Sequence, residues 1–164
     1  MDLYFLRNAK AASDGKADAD DDRPLTKKGE RKILRVAEAM RDMELGFDAI
    51  ITSPLLRAVH SAEIVAKTFR LKDHVHHSSH LGPRGNPALL VKEITTKHNE
   101  AKGLLLVGHE PSLGALISML LVGDNSLEMI FKRGGLCKLT IEQLSYGKCA
   151  SLCWLLAPSQ LKRI

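Results

Sequence analysis

The sequence has few aromatic residues, few cysteines and no long apolar run, and each shortage excludes a class of protein. Phe, Trp and Tyr make up only 4% of the chain, which disfavours a platform that stacks the bases of single-stranded nucleic acid. The longest mainly apolar stretch, Ala115 to Val122, is far shorter than the roughly 18 residues that a membrane-spanning helix needs. We therefore expect neither nucleic acid nor a membrane as a partner.

The three cysteines, Cys137, Cys149 and Cys153, all lie near the carboxyl end of the chain. Their odd number and their spacing match neither a disulfide framework nor a zinc site. The amino terminus, Met-Asp-Leu-Tyr-Phe-Leu-Arg, lacks the basic and apolar regions of a signal peptide. These features together predict a cytoplasmic protein.

What the sequence contains suits one globular domain spanning residues 1–164. With 164 residues, of which 45% are hydrophobic and 26% charged, the chain can bury one core. Its 24 Lys and Arg residues exceed its 19 Asp and Glu residues, which gives a formal net charge of +5. This balance is compatible with an anionic partner. We expect a monomer.

Apolar runs and apolar residues at helical spacing alternate along the chain. The runs predict five strands, which are Leu3 to Leu6, Phe47 to Thr52, Leu104 to Val107, Leu136 to Ile141 and Cys149 to Leu156. Helices are predicted after the cap residues Thr26, Ser53 and Asn86, the last two followed by proline, and from Pro111. Residues 72–86 are predicted to be irregular, and the helix after Asn86 is predicted to run to about Asn99.

This alternation is typical of the α/β class. We predict a three-layer α/β/α sandwich with a mainly parallel sheet, to which the last two strands add an antiparallel edge.

Three potentially cationic side chains follow predicted parallel strands. Arg7 ends the first strand, Arg57 lies one turn into the helix after the second, and His109 follows the third. The carboxyl ends of parallel strands share one edge of the sheet, where two helix amino termini would add partial positive charge. Because a guanidinium fork matches a pair of phosphate oxygens, the pattern predicts a dianion site, most simply for a phosphoryl group. A single arginine at a strand end is more often solvated or salt-bridged.

Four motifs, in order along the chain, carry a resemblance to a known family. They are Leu6-Arg7-Asn8-Ala9-Lys10, Arg23-Pro24-Leu25-Thr26-x-x-Gly29, Ser53-Pro54-x-x-Arg57-Ala58-x-x-Ser61-Ala62 and Val107-Gly108-His109-x-Pro111-x-Leu113. Together they resemble the histidine phosphatase (phosphoglycerate mutase-like) superfamily over essentially the whole chain. The short length and the Arg-Pro-Leu-Thr element resemble its SixA-type phosphohistidine phosphatase branch.

The resemblance implies a phosphatase, a hydrolase that needs no metal and no organic cofactor. It implies that Arg7 and Arg57 bind the phosphoryl group and that His109 stabilises it during transfer. It also implies that the residue after Arg7 is a nucleophilic histidine, whereas this chain has Asn8. An amide nitrogen cannot attack phosphorus, because its lone pair is delocalised into the carbonyl, but its NH₂ can still donate a hydrogen bond to phosphate.

Asn8 leaves three origins open: a deliberate substitution that traps substrate, a natural pseudoenzyme that binds a phospho-ligand without turnover, or an error in the sequence. The intact Arg7, Arg57 and His109 favour a recent or engineered change in a phosphatase. We predict that the Asn8 form binds phosphate and turns over poorly. An asparagine in a tight turn after a strand also has a purely structural explanation, since asparagine tolerates positive φ.

The substrate implied by this branch is phosphohistidine on a protein, or a small phosphoramidate, with inorganic phosphate as product. Its members of this size lack the inserted segment that supplies a proton donor in larger relatives, and a protonated imidazole leaves without strong acid help. Glu110 could donate a proton, but a carboxylate at a helix start is the simpler interpretation.

Other polar clusters have structural interpretations. The histidines at positions 74, 76, 77 and 80 lack a partner at metal-ligand spacing, so we predict no metal site. The acidic run Asp18 to Asp22 is predicted to be a solvated loop that could pair with Arg23. The turn from Gly82 to Gly85 lacks the spacing of a phosphate loop.

A basic helix face could dock an acidic phosphoprotein or nucleic acid, although solvation alone would explain it; its residues are Lys27, Lys28, Arg31, Lys32 and Arg35.

Overall fold

The computed structural model describes residues 1–13 and 22–162. In this part of the chain six strands form one sheet, and they are β1 (Asp2–Arg7), β2 (Ala49–Thr52), β3 (Val75–His77), β4 (Gly103–Gly108), β5 (Leu136–Ile141) and β6 (Ala150–Leu156). The helices are α1 (Lys27–Asp42), α2 (Leu56–Phe69), α3 (Pro87–Lys97), α4 (Ser112–Val122) and the short α5 (Pro158–Leu161). None of the described helices has the length and apolar character that crossing a membrane requires.

The sheet has the strand order β3-β2-β4-β1-β5-β6. The neighbours β2/β3, β2/β4 and β1/β4 are parallel, whereas β1/β5 and β5/β6 are antiparallel. The predicted mainly parallel sheet with an antiparallel edge is therefore confirmed. Every residue of β4 is buried, as expected for a central strand of a parallel sheet that helices cover on both faces.

Alternation along the strands sends neighbouring side chains into two separate cores. Tyr4 and Leu6 of β1 face a core that contains residues of α1, α2 and α5. Leu3 and Phe5 face a second core that contains residues of α3 and α4. The molecule is thus the predicted three-layer α/β/α sandwich, with the sheet between two layers of helices.

The helix starts test the predicted caps. Thr26 accepts a hydrogen bond from Gly29 N and begins α1, and Asn86 accepts from the first two amides after Pro87 and begins α3. The prediction that Ser53 caps the next helix is wrong. That helix begins at Leu56, after a cap position without a side-chain hydrogen bond. The Ser53 oxygen accepts from Leu55 N in the turn before the helix and also contacts His109, as described below.

The prediction of an irregular segment over 72–86 is also partly wrong. It contains the edge strand β3, which pairs with β2, and two single 3₁₀ turns, Lys72–His74 and Ser79–Leu81. The following helix ends at Lys97, within a few residues of the predicted end near Asn99.

Candidate active site at the strand ends

The hydrogen-bond ladder of the sheet continues one residue past the strands at the carboxyl edge. Asn8 N donates to Gly108 O at 3.0 Å, and Ser53 N donates to Val107 O at 2.9 Å. Because β4 lies between β1 and β2, these two bonds hold the chain on both sides of the point where His109 leaves the sheet. Backbone hydrogen bonds therefore hold the ends of β1, β2 and β4 together, as predicted.

A cavity of about 210 Å³ opens at this edge, and we call it the rim cavity. The described residues that line it are Arg7, Asn8, Lys10, Ala11, Ser13, Arg23, Arg57, His109, Glu110 and Arg133. The four predicted site residues, Arg7, Asn8, Arg57 and His109, thus line one cavity. Among the described lining residues, five carry a permanent positive charge and one carries a carboxylate.

The Arg7 guanidinium is oriented by the chain on the antiparallel side of the sheet. Its Nη1 donates to the carbonyl of Phe131 at 2.6 Å. The pKa of Arg7 is lowered, mainly by burial. The Glu110 carboxylate opposes this shift, and the positive charge of Arg133 adds to it. A guanidinium nevertheless stays protonated in proteins, so Arg7 presents a fixed positive charge with further N–H donors beside the cavity.

Arg133 is a lining residue that the sequence prediction missed. It lies in the segment before β5, where Gly134 N donates to Arg7 O at 2.8 Å and Arg7 N donates to Gly135 O at 3.1 Å. Gly134 has a φ of +78°, a conformation that side chains with a Cβ rarely adopt. The available signal was the predicted antiparallel hairpin, because an antiparallel strand brings its amino end to the edge where parallel strands end.

His109 is held by a residue that the prediction placed in a different role. Its Nε2 lies 2.7 Å from Ser53 Oγ, and both residues are buried, with exposed fractions of 7% and 0%. The Ser53 oxygen also accepts from Leu55 N at 3.3 Å. The hydroxyl therefore links the imidazole ring to the turn that leads into α2.

Asn8 is buried at the wall of the rim cavity, with an exposed fraction of 6%. Its side-chain amide donates to the Ala9 carbonyl at 2.8 Å. The amide is therefore locally anchored, and it keeps hydrogen-bonding capacity of both kinds for a ligand.

The Arg-Pro-Leu-Thr motif is explained by the way the segment after β1 packs. Ala12 N donates to Pro24 O at 2.8 Å, and Thr26 N donates to Lys10 O at 3.1 Å. A Cβ on Gly29 would lie 2.9 Å from that same Lys10 oxygen. This close approach requires glycine, and the paired segments bring Lys10 and Arg23 to the rim cavity.

Glu110 is used as a helix-start carboxylate. Its Oε1 accepts from Gly114 N at 2.7 Å, and a Cβ on Gly114 would lie 2.7 Å from its other oxygen. This contact within the first turn of α4 is the one expected of a carboxylate at a helix start.

The predicted clusters outside the rim cavity have separate surroundings. The His76 ring packs against the His98 ring at a centroid distance of 5.1 Å. Among residues 1–13 and 22–162, no group of three or more His, Cys, Asp or Glu side chains is arranged to hold a metal ion. Of the run Asp18 to Asp22, all residues but the last lie outside the described residues.

Comparison with known proteins adds the family. A model of the histidine phosphatase superfamily (branch 1) matches residues 3–81, a range that includes Arg7, Asn8 and Arg57. An uncharacterized protein of Picosynechococcus is 38% identical over 138 residues, which are 83% of this chain and 82% of the relative. The phosphohistidine phosphatase SixA of Escherichia coli K12 is 25% identical over 163 residues, which are 99% of this chain and 97% of the relative.

A solved structure of the protein histidine phosphatase SixA complexed with tungstate superimposes with a TM-score of 0.85. The two chains are 24% identical, and the match covers 99% of this chain and 100% of that chain. At this identity the likeness concerns the fold, and it extends over all three layers of the sandwich.

Proposed function

The chain belongs to the SixA-type branch of the histidine phosphatase superfamily, and on this premise we propose that it binds a phosphoryl group in the rim cavity. The observation that carries the proposal is that a single cavity of about 210 Å³ is lined by Arg7, Arg57 and His109. A phosphoryl dianion has several oxygens for these donors, and guanidinium groups are well suited to bind them in pairs.

In the reaction of this family, a histidine ring nitrogen forms a bond to phosphorus while the bond from phosphorus to the leaving group breaks. Water then forms a bond to the phosphorus of the phosphohistidine while the phosphorus–nitrogen bond breaks. A proton of the water passes to solvent, and inorganic phosphate and the free histidine result. We place Asn8 at the position of this histidine, because it follows Arg7 directly and lines the rim cavity. An amide cannot form the intermediate, so this form binds phosphate but turns over poorly.

We propose phosphohistidine on a protein as the substrate. A departing imidazole accepts a proton readily and needs little general-acid help, whereas an alkoxide needs much. The one carboxylate among the described lining residues, Glu110, accepts a hydrogen bond from Gly114 N and is poorly placed to act as an acid. The name of the E. coli relative points to the same substrate class.

Asn8 also supports a second candidate, a phospho-ligand-binding protein that has no turnover to restore. Its amide is held by a hydrogen bond to Ala9 O, so asparagine fits the local structure. Arg7, Arg57 and His109 still line the cavity and would bind a phosphoryl group without a nucleophile. The two candidates share the binding site and differ in the effect of a histidine at position 8.

The experiment that tests the proposal is paired kinetics of the chain and its Asn8→His variant. Release of inorganic phosphate from phosphohistidine is followed by ³¹P NMR. We expect the variant to be about a thousandfold faster or more, because a covalent route replaces direct attack by water. Asn99→His is the matched control, since it adds the same imidazole at an exposed position, and we expect no gain from it.

Measurable and equal rates for the chain and Asn8→His would contradict the placement of the nucleophile. Binding of inorganic phosphate by both proteins without turnover by either would favour the phospho-ligand-binding protein. Absence of phosphate binding by both would refute the site itself.

A further inference from the structure

A row of cationic side chains leads away from the rim cavity along α1. The stem of Lys32 crosses the segment before β5, since a Cβ on Gly134 would lie 3.0 Å from Lys32 Cδ and 3.3 Å from Pro158 Cγ. Lys32 therefore lies next to Arg133, which lines the rim cavity, and next to the start of α5.

The charges around Lys32 are of its own sign. Burial lowers the pKa of Lys32, and the positive charges of Lys28, Lys162 and Arg133 lower it further. We call these four residues, Lys28, Lys32, Arg133 and Lys162, the cationic strip. A small pocket of about 10 Å³ lies between α1 and α5 and is lined by Lys32, Arg35, Val36, Pro158, Leu161 and Lys162.

Such a concentration of like charge is electrostatically costly in the free protein, and an anionic partner would relieve it. The strip is also continuous with the candidate active site, because Arg133 belongs to both. The acidic residues Glu38 and Asp42 line the cavity that adjoins Arg35 and Lys162, so the positive surface ends about three turns along α1.

We propose that the cationic strip docks an acidic surface of the protein whose phosphohistidine enters the rim cavity. This inference rests on the proposed function and adds the chemistry of the partner. It makes the strip a recognition surface that a small phosphoramidate does not use.

The geometry favours a macromolecule over a small substrate. Lys28 and Lys32 are four residues apart on a helix, a rise of about 6 Å, and both lie outside the lining of the rim cavity. A ligand confined to this cavity of about 210 Å³ does not contact the two lysines, because neither of them lines it. A protein that inserts one side chain into the cavity does.

An apolar neighbour favours protein over nucleic acid. Ile130 precedes Arg133 by three residues and is 82% exposed. It lines a second cavity that shares Glu110 with the rim cavity. Protein interfaces combine buried apolar side chains with a charged rim, whereas nucleic-acid interfaces are more polar and are dominated by phosphate contacts.

The test uses peptides that carry a non-hydrolysable phosphohistidine analogue with either acidic or uncharged flanking residues. Binding to the chain is measured by fluorescence anisotropy at low ionic strength, where surface charges are least screened. We expect the acidic peptide to bind more tightly. The double variant Lys28→Glu/Lys162→Glu should weaken the acidic peptide roughly tenfold and leave the isolated analogue amino acid unaffected.

The matched control is Lys67→Glu/Lys102→Glu, which makes the same charge change at exposed positions away from the strip. Equal affinity for the two peptides, or an equal loss in the control, would overturn the docking proposal. Failure of the analogue amino acid to bind any variant would instead refute the proposed function. The choice of a protein partner would be overturned if a single-stranded RNA displaced the acidic peptide and if the Lys28→Glu/Lys162→Glu variant no longer bound that RNA.

Discussion

Ser53 Oγ and His109 Nε2 lie 2.7 Å apart, and the contact joins the end of β2 to the end of β4. Both residues are buried, and the serine oxygen is also an acceptor for Leu55 N. The orientation of the imidazole is thereby set by a neighbouring strand and by the turn before α2. In the proposed phosphate site Ser53 is a positioning residue, since it would act on a phosphoryl group through His109.

The first prediction removes this hydroxyl. Ser53→Ala should weaken binding of inorganic phosphate about fivefold, because one hydrogen bond contributes roughly 1 kcal/mol and the ring loses its orientation. Calorimetric titration measures the affinity, and the side-chain ¹⁵N resonances of His109 report the ring directly. Thr68→Ala is the control, because its hydroxyl bonds the Ile64 carbonyl within α2. Unchanged affinity together with unchanged His109 resonances would contradict the positioning role.

The second prediction concerns the shape of the Arg7 side chain. Its Nη1 donates to the Phe131 carbonyl at 2.6 Å, so in the proposed site the remaining N–H groups would bind phosphate. Arg7→Lys keeps the charge but has a single nitrogen, which cannot serve both partners with the same geometry. We expect a loss of phosphate affinity of about tenfold or more in calorimetric titration. Arg35→Lys, at an exposed position, should leave the phosphate affinity unchanged. A loss of less than twofold in Arg7→Lys would contradict binding of phosphate by two N–H groups of the Arg7 guanidinium.

The parts of the fold that sequence predicted are those in which local pattern and tertiary environment agree. The residues of β4 form a continuous apolar run because helices cover both faces of the strand. By contrast, β3 is the three-residue sequence Val75-His76-His77, which is too short and too polar to be predicted as a strand. It exists because β2 offers an unpaired edge with which it pairs in register.

In the candidate site, too, some residues could be predicted from the sequence and others could not. The rule that ligands bind at the carboxyl ends of parallel strands places Arg7, Arg57 and His109 at one edge, and all three line the rim cavity. The rule does not cover β5, which is antiparallel to β1 and delivers Arg133 from its amino end. Ser53 was assigned to a helix cap because Ser-Pro fits that role locally, whereas its bond to His109 spans 56 residues of sequence.

The third prediction tests the close approach behind the Arg-Pro-Leu-Thr motif. Gly→Ala inside a helix ordinarily stabilises by up to about 1 kcal/mol. At Gly29 the added Cβ would lie 2.9 Å from the Lys10 backbone oxygen and 3.2 Å from Thr26 Oγ1. We therefore expect Gly29→Ala to lower the free energy of unfolding, by roughly 1–3 kcal/mol, and to weaken phosphate binding as Lys10 and Arg23 shift.

Urea denaturation measures the stability, and titration with phosphate measures the site. Gly147→Ala is the control, because a Cβ there would meet nothing within 4 Å. If Gly29→Ala were as stable as the unaltered chain, the segment after β1 would not be held by this contact.

The last prediction concerns an ion pair that fastens β1 to β5. Asp2 Oδ2 lies 2.8 Å from Lys138 Nζ, and Asp2 Oδ1 accepts from Thr140 Oγ1 at 2.9 Å. Burial alone would raise the pKa of Asp2, but the hydrogen bonds from Lys138 and Thr140 and the nearby positive charges outweigh it and hold the pKa below 3.8. The resulting stabilisation is complete above the pKa of the unfolded carboxyl and is lost as the pH falls through the lower folded value.

Asp2→Asn should therefore reduce the free energy of unfolding at neutral pH, by less than about 1 kcal/mol because the pair is partly exposed. The difference from the unaltered chain should shrink below about pH 4, where the carboxyl of the unaltered chain becomes protonated. Urea denaturation at about pH 7 and about pH 3 measures both values, and added salt should reduce the difference at neutral pH. Asp42→Asn, which loses an exposed contact of 3.8 Å with Arg41, should change stability little at either pH. A deficit in Asp2→Asn that is as large at pH 3 as at pH 7 would show that packing, rather than the charge of Asp2, joins the two strands.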